Sequence, residues 1–357
     1  MRQVIRDLRR TATEDWPILA GACGVWAVLV MLLAAKGVNG LHAVSYRNNL
    51  LLYLVTLVVL TLLAAGWRLY RARPKSPIRF LAQLATDGEV AGRFVRGVPM
   101  LTALVIFMPV FSAMKSAIPL FNSRNWDAAF IAADQVIHGG DTWLLLQPVF
   151  GFPIVTSALS IVYFLWFFVI YAASIHFCFL SRDRELRAQY FITYFASWTI
   201  CGVFLATLFA SVGPCFVGPL LGDHRFDEQM AYLREANEHY PVLILHAQEF
   251  LLAARMEASG ELGGGISAMP SMHVAMATLV ALSAARISRA AAVIGFGFLL
   301  ITVVGSVHLA PHYAVDGYVS IAVTLVLWPV AARLARRIVR DAPQAAPRER
   351  RPEVLTA

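Results

Sequence analysis

The chain has 357 residues, 59% of them hydrophobic and only 15% charged, with a mean hydropathy of +0.64. A soluble domain is nearer half apolar and a quarter charged, so that class is excluded. The net charge of +8 is carried by runs such as RRIVR and RERR, which read as juxtamembrane anchors against anionic lipid rather than as a nucleic-acid surface.

In chain order, eight apolar blocks are candidates to cross a bilayer, for which about 20 helical residues suffice. They fall at roughly 16–35, 49–67, 99–118, 153–180, 190–212, 271–286, 290–309 and 314–333. The shortest, 271–286, is marginal alone and needs packing against its neighbours. The expected fold class is therefore an all-α polytopic membrane protein of about eight transmembrane helices. RDLRR before the first block and LLAAKG at its end also fit a cleaved signal peptide, but the length of the block favours a retained span. Cys23, Cys178 and Cys201 fall in spans and Cys215 near the outer surface, a scatter that makes neither a disulfide framework nor a metal motif; they read as small core hydrophobes.

With the N-terminus inside, 23 of the 30 basic residues lie on inner segments. This bias predicts both termini in the cytoplasm. Three polar segments then face the outer side. In 115–150, Trp126, Phe130, Ile131 and Ile137 fit an amphipathic helix lying along the interface. Segment 213–270 opens on VGPCFVGPLLGD and closes on GELGGGISAMPSMH, and Pro241 interrupts the amphipathic stretch between them. The third, GSVHLAPHYAVDGY at 305–318, joins the last two spans. Loops of this kind on a rigid scaffold are where headgroup choice is expected. Polar residues at membrane depth are functional candidates because the bilayer makes them expensive.

His312 and Asp316 are four apart and share one face of a helix, with Pro311 suited to its first position. The positive end of the helix dipole stabilises the carboxylate. An Asp accepting from one imidazole nitrogen leaves the other free as nucleophile or base, the logic of a His–Asp pair. Simple helix capping and headgroup contact is the other reading of this pair. His308 extends the series to i, i+4, i+8, a spacing that suits zinc. Pro311 breaks the helix between the first ligand and the others, so His308 reads instead as a residue that supports or contacts substrate.

Ser271 fits the N-cap of the sixth span, with Pro270 turning the chain into it. The free N–H groups of that helix make an anion site. A phosphate there accepts from Ser271, with His273 placed to donate a proton to a leaving oxygen. Lys115 and Arg124 add fixed positive charge at the same membrane level.

These residues carry a resemblance. PSMH before a small-residue helix, and HYAVD about forty residues on, resemble the type 2 phosphatidic acid phosphatase superfamily of membrane phosphatases and phosphotransferases. Its pattern is Lys-x6-Arg-Pro, Pro-Ser-Gly-His, and Ser-Arg-x5-His-x3-Asp. After Lys115 the seventh residue is Asn122, with Arg124 two further; Met272 replaces the glycine; and Gly305 and Ser306 stand at the Ser-Arg positions. KSAIPLFNSRNWDAAF and HYAVD are closer to the inositol phosphorylceramide synthase-like branch, whose members transfer a phospho-headgroup between lipids. The resemblance covers roughly residues 100–333.

It implies a six-helix catalytic core at 99–333. Residues 1–98 precede it as two helices and a basic cytoplasmic loop, and 334–357 follow as a disordered basic tail. It also implies that His312, oriented by Asp316, attacks phosphorus to form a phosphohistidine, with His273 as general acid and then base. Ser271, Lys115, Asn122, Arg124, His308 and Tyr313 are the implied substrate-binding set, and no metal or organic cofactor is implied. The partners expected are a lipid phosphoester and an alcohol acceptor, or water in the phosphatase alternative, with no nucleic acid. A non-catalytic lipid transporter or binding protein is a third reading, though its polar residues would lie near the midplane. The Ala/Arg-rich bias points to a bacterial inner membrane with a periplasmic site.

Overall fold

The computed structural model describes residues 2–41, 43–85, 88–257 and 265–341, and among them every regular element is helical. The chain opens with α1 (Arg2–Ala35), α2 (Ala43–Ala72), α3 (Pro77–Ala85) and α4 (Gly88–Ser116). Short helices follow: α5 (Ile118–Phe121), α6 (Asp127–His138) and α7 (Thr142–Phe150). Then come α8 (Pro153–Ile175), α9 (Arg184–Thr199) and α10 (Ala206–Leu208), with π-helical turns at His176–Leu180 and Ile200–Leu205. Next are α11 (Pro214–Leu221), a 3-10 turn at His224–Phe226, α12 (Asp227–His239) and α13 (Ile244–Glu257). The last three are α14 (Met272–Ala285), α15 (Arg289–His308) and α16 (Ala314–Asp341).

Among the described residues seven helices are long and apolar enough to cross a membrane, and the protein is an integral membrane protein. The eighth expected span is α14, whose 14 residues make a rod of about 21 Å, short of the roughly 30 Å hydrocarbon core. It survives because it faces protein: Val274, Ala275, Met276, Ala277 and Ala281 are fully buried, and its small side chains let α15 and α16 approach closely. Arg286, just past its C-terminus, lies 4.0 Å from Asp183 in the turn before α9. So α14 runs from beside the middle of α8, where His273 meets Tyr163 and Trp166, to the end where α8 finishes.

Asp183 starts α9 by accepting the N–H of Leu186 at 2.9 Å, an N-cap worth about 1 kcal/mol. Ser288 does the same for α15 through Ala291. Ion pairs fasten α1 across this end: Arg184 pairs with Glu14 and Arg187 with Asp15. The first two helices therefore pack directly on the core, and Leu29 and Leu33 of α1 share one apolar cluster with Leu104 of α4 and Tyr194 of α9.

The expected amphipathic segments become short helices at the opposite end. Around Pro241 the stretch divides into α12 and α13, and Asn237 accepts the N–H of Val242 at 2.8 Å across the break. The GELGGG part of that segment at 258–264, and the tail from 342, lie outside the described residues. α16 runs on to Asp341, beyond the expected limit of 333.

Candidate active site

Two helix starts meet under this cap. Ser271 is the N-cap of α14 and accepts the N–H of Val274. That leaves the N–H groups of Met272 and His273, the first two of the helix, without a partner among the described residues. His273 is half-buried in an aromatic cradle. Its ring stacks on Tyr163 with centroids 4.4 Å apart and lies 4.3 Å from Trp166. The indole N–H of Trp166 also donates to the His273 carbonyl at 2.9 Å.

The second start departs from the helical-face expectation. α15 ends at His308 and α16 begins only at Ala314, so Pro311 and His312 belong to a turn. Ala310 sits in that turn at φ 69, a left-handed conformation rare for a residue with a side chain. Its carbonyl accepts the N–H of Cys215, while His312 donates its own N–H to Ser306 at 3.0 Å. Gly213 passes directly beneath at φ +89, where a Cβ would stand 2.5 Å from the Pro311 oxygen; only glycine meets both conditions.

The i, i+4 spacing still brings the pair together, by capping rather than by helical register. Asp316 accepts from the N–H of Tyr313 at 3.0 Å, the carboxylate half of a capping box. The same Oδ2 accepts from His312 Nδ1 at 3.2 Å. A carboxylate only accepts, so Nδ1 carries the proton and Nε2 keeps the free lone pair. His312 is 6% exposed, and its ring centroid is 6.2 Å from that of His273.

What holds this turn is a carboxylate pair absent from the sequence expectations. Asp134 of α6 accepts the N–H groups of Ala314 at 2.8 Å and Val315 at 2.9 Å. Two turns earlier, Asp127 accepts from Val212 and Gly213 at 2.8 and 2.9 Å, and from the Tyr313 hydroxyl at 2.6 Å. The free N-terminus of α16 is thus filled by protein carboxylates, and the open one belongs to α14. Burial, and then Asp127, push the Tyr313 hydroxyl far above its ordinary value, so it remains a donor. Gln229 of α12 and Gln248 of α13 donate to the carbonyls of Val307 and Leu309 at 2.8 and 2.9 Å.

Other expected site residues are placed variously. Lys115 lies in the last turn of α4. Asn122 spends its amide on the carbonyls of Thr207 and Leu208 and its oxygen on the N–H of Arg124. The guanidinium of Arg124 lies exposed over the Trp126 ring at 4.3 Å. Tyr313 is committed to Asp127 and is 2% exposed. His308 shares a hydrogen bond with Thr156 of α8 at 2.9 Å, which takes it off any common face with His312 and Asp316. Among the described residues no group of three or more His, Cys, Asp or Glu is arranged to hold a metal ion.

Met272 points away from the histidines. Its sulfur lies 3.2 Å from where a Cβ on Gly202 would stand, beside Phe111, and it belongs to the main apolar cluster. The aromatic cradle and the α6 carboxylates had readable signals: Tyr163 and Trp166 are three apart near the middle of a span, and Asp127 and Asp134 are seven apart on one helical face.

A family model described as the PAP2 superfamily matches residues 128–330, more than half of the chain. That range contains Asp134, the His273 cradle, Ser271, His308, His312 and Asp316; Lys115, Asn122, Arg124 and Asp127 precede it. No curated protein and no solved structure matches the chain.

Proposed function

The chain belongs to the PAP2 superfamily, and from that premise we propose that it is a membrane phosphotransferase moving a phospho-headgroup from a lipid donor to an alcohol. Members of the superfamily are phosphoester hydrolases and transferases. Phosphoryl chemistry at this site, which transfer and hydrolysis share, is supported by one observation: the His312 ring, held by Asp316, stands 6.2 Å from the His273 ring, a spacing that suits one phosphate between them.

Nε2 of His312 attacks phosphorus, and the P–O bond to the departing lipid alcohol breaks. His273 gives that oxygen its proton and then takes one from the incoming hydroxyl, which displaces His312 from phosphorus. The unpartnered N–H groups of Met272 and His273, the Ser271 hydroxyl and Lys115 hold the non-bridging oxygens, since a helix N-terminus favours an anion. Charge that develops on phosphorus meets donors already in place. Arg124 approaches this phosphate only by leaving Trp126, and the Ser306 that stands in place of the motif arginine adds no charge. Likeness of KSAIPLFNSRNWDAAF and HYAVD to the inositol phosphorylceramide synthase-like branch favours transfer over hydrolysis.

Incubation of the purified protein with labelled phosphatidylinositol and phosphatidic acid tests this. Expected are a headgroup-bearing product on an added long-chain alcohol and an acid-labile label on His312, both lost in His312→Ala. Free phosphate without a headgroup-bearing product makes the protein a lipid phosphatase. For sidedness, 23 of the 30 basic residues support cytoplasmic termini and a periplasmic site. Labelling of a single introduced cysteine at Ser123 by an impermeant maleimide on intact spheroplasts checks this.

A further inference from the structure

We propose that Asp134 is a positioning residue for the His312–Asp316 pair, an inference that rests on His312 being the nucleophile. The two members of the pair are anchored to different helices. His312 hangs from the end of α15 through its N–H to Ser306 at 3.0 Å. Asp316 rides on the first turn of α16. The 3.2 Å bond between them is therefore set by how the start of α16 sits relative to the end of α15.

Asp134 governs that relation. Its two oxygens take the N–H groups of Ala314 and Val315, which lie in sequence between His312 and Asp316. The carboxylate is 6% exposed and accepts a further bond from Thr142 at 3.2 Å, so its direction is fixed from α7 as well. The helix that carries it is itself anchored, because Asp127 binds the chain at Val212 and Gly213. One carboxylate of α6 thus holds the first turn of a membrane span.

The test compares purified wild type with Asp134→Asn, Asp134→Ala, Thr142→Val, His312→Ala and Leu29→Ala, all assayed on labelled phospholipid in one detergent. Leu29 lies in α1 and is 4% exposed, so its truncation lowers stability away from the cap. Both Asp134 variants are expected to lose about 10- to 100-fold in kcat with KM unchanged, since a misplacement of about 1 Å costs on the order of 100-fold. Leu29→Ala is expected to lower Tm with kcat kept. Asp134 variants that turn over like wild type per folded molecule, or that lose kcat only as far as Leu29→Ala does, overturn the proposal. If neither Asp134 variant folds, Thr142→Val decides: a several-fold loss of kcat supports it and an unchanged kcat overturns it. Turnover retained in His312→Ala defeats the nucleophile reading itself, a result separate from any Asp134 outcome.

Discussion

Ser271 donates its backbone N–H to the carbonyl oxygen of Asp316 at 3.3 Å. That main-chain bond ties the start of α14 to the first turn of α16, so the helix ends bearing the two histidines are held together as one unit. Side-chain replacement leaves it intact, which makes the Ser271 hydroxyl separable from the scaffold.

The hydroxyl oxygen caps α14 by accepting from Val274, while its proton stays available to a phosphate oxygen. Ser271→Ala is expected to cost about 1 kcal/mol of stability and Ser271→Gly only a few tenths. Both lose the same donor, so both are expected to show the same fall in kcat. Thermal denaturation beside steady-state kinetics checks this. Activity that follows stability across the two variants would reduce Ser271 to a cap.

Asp316→Asn addresses the imidazole. Asp316 holds Nδ1–H of His312 and the Tyr313 N–H on one oxygen. An amide meets both donors only with its oxygen on that side, and then without the charge that holds a protonated imidazole; turned round, its NH2 opposes both the ring N–H and the Tyr313 N–H. Loss of the correct tautomer costs on the order of 10⁴ in kcat where this logic has been measured in a serine protease. A loss of at least 10³, with the variant folded, is expected from the same cause; a loss of less than ten-fold would remove Asp316 from the mechanism.

Much of this arrangement was legible in the chain. Apolar blocks placed the spans, and Ser271, His273, His312 and Asp316 stood out because polar groups at membrane depth are costly. The helix over 311–316 was misread because proline at a first helical position is a local preference. The true start is decided by Asp134, 180 residues away from Ala314. An aspartate on an interfacial helix looks like a solvated residue until its partners are known. Asn122 and Tyr313 have the same difficulty: their partners Thr207 and Asp127 are distant in sequence, and periodicity does not reveal who consumes a donor.

Met272 shows how a local reading of a motif can mislead about space. A methionine in place of the family's glycine suggests a narrower pocket, but its sulfur packs beside the Phe111 ring against Gly202. Met272→Gly is expected to destabilise the protein by at least the roughly 2–5 kcal/mol typical of emptying such a core site, with no gain in turnover on bulkier headgroups. Denaturation midpoints and a headgroup series measure the two parts. A stable variant with broadened specificity would put Met272 back in the pocket.

The far end of the molecule offers a contrast, because it stabilises without touching the chemistry. Asp15 is 2% exposed and meets Arg187, whose Nη2 donates to it at 2.9 Å and whose Nε donates to the Phe177 carbonyl at 3.0 Å. Removing one partner strands a buried charge, at a cost of about 3–5 kcal/mol. Asp15→Ala is thus expected to lower Tm sharply while kcat per folded molecule stays at the wild-type level, since α9 begins here at the end opposite the histidines. Replacing both partners by leucine removes the stranded charge and is expected to recover most of the loss. A double variant as unstable as the single one would show that packing around α1, rather than the ion pair, holds the first helix to the core.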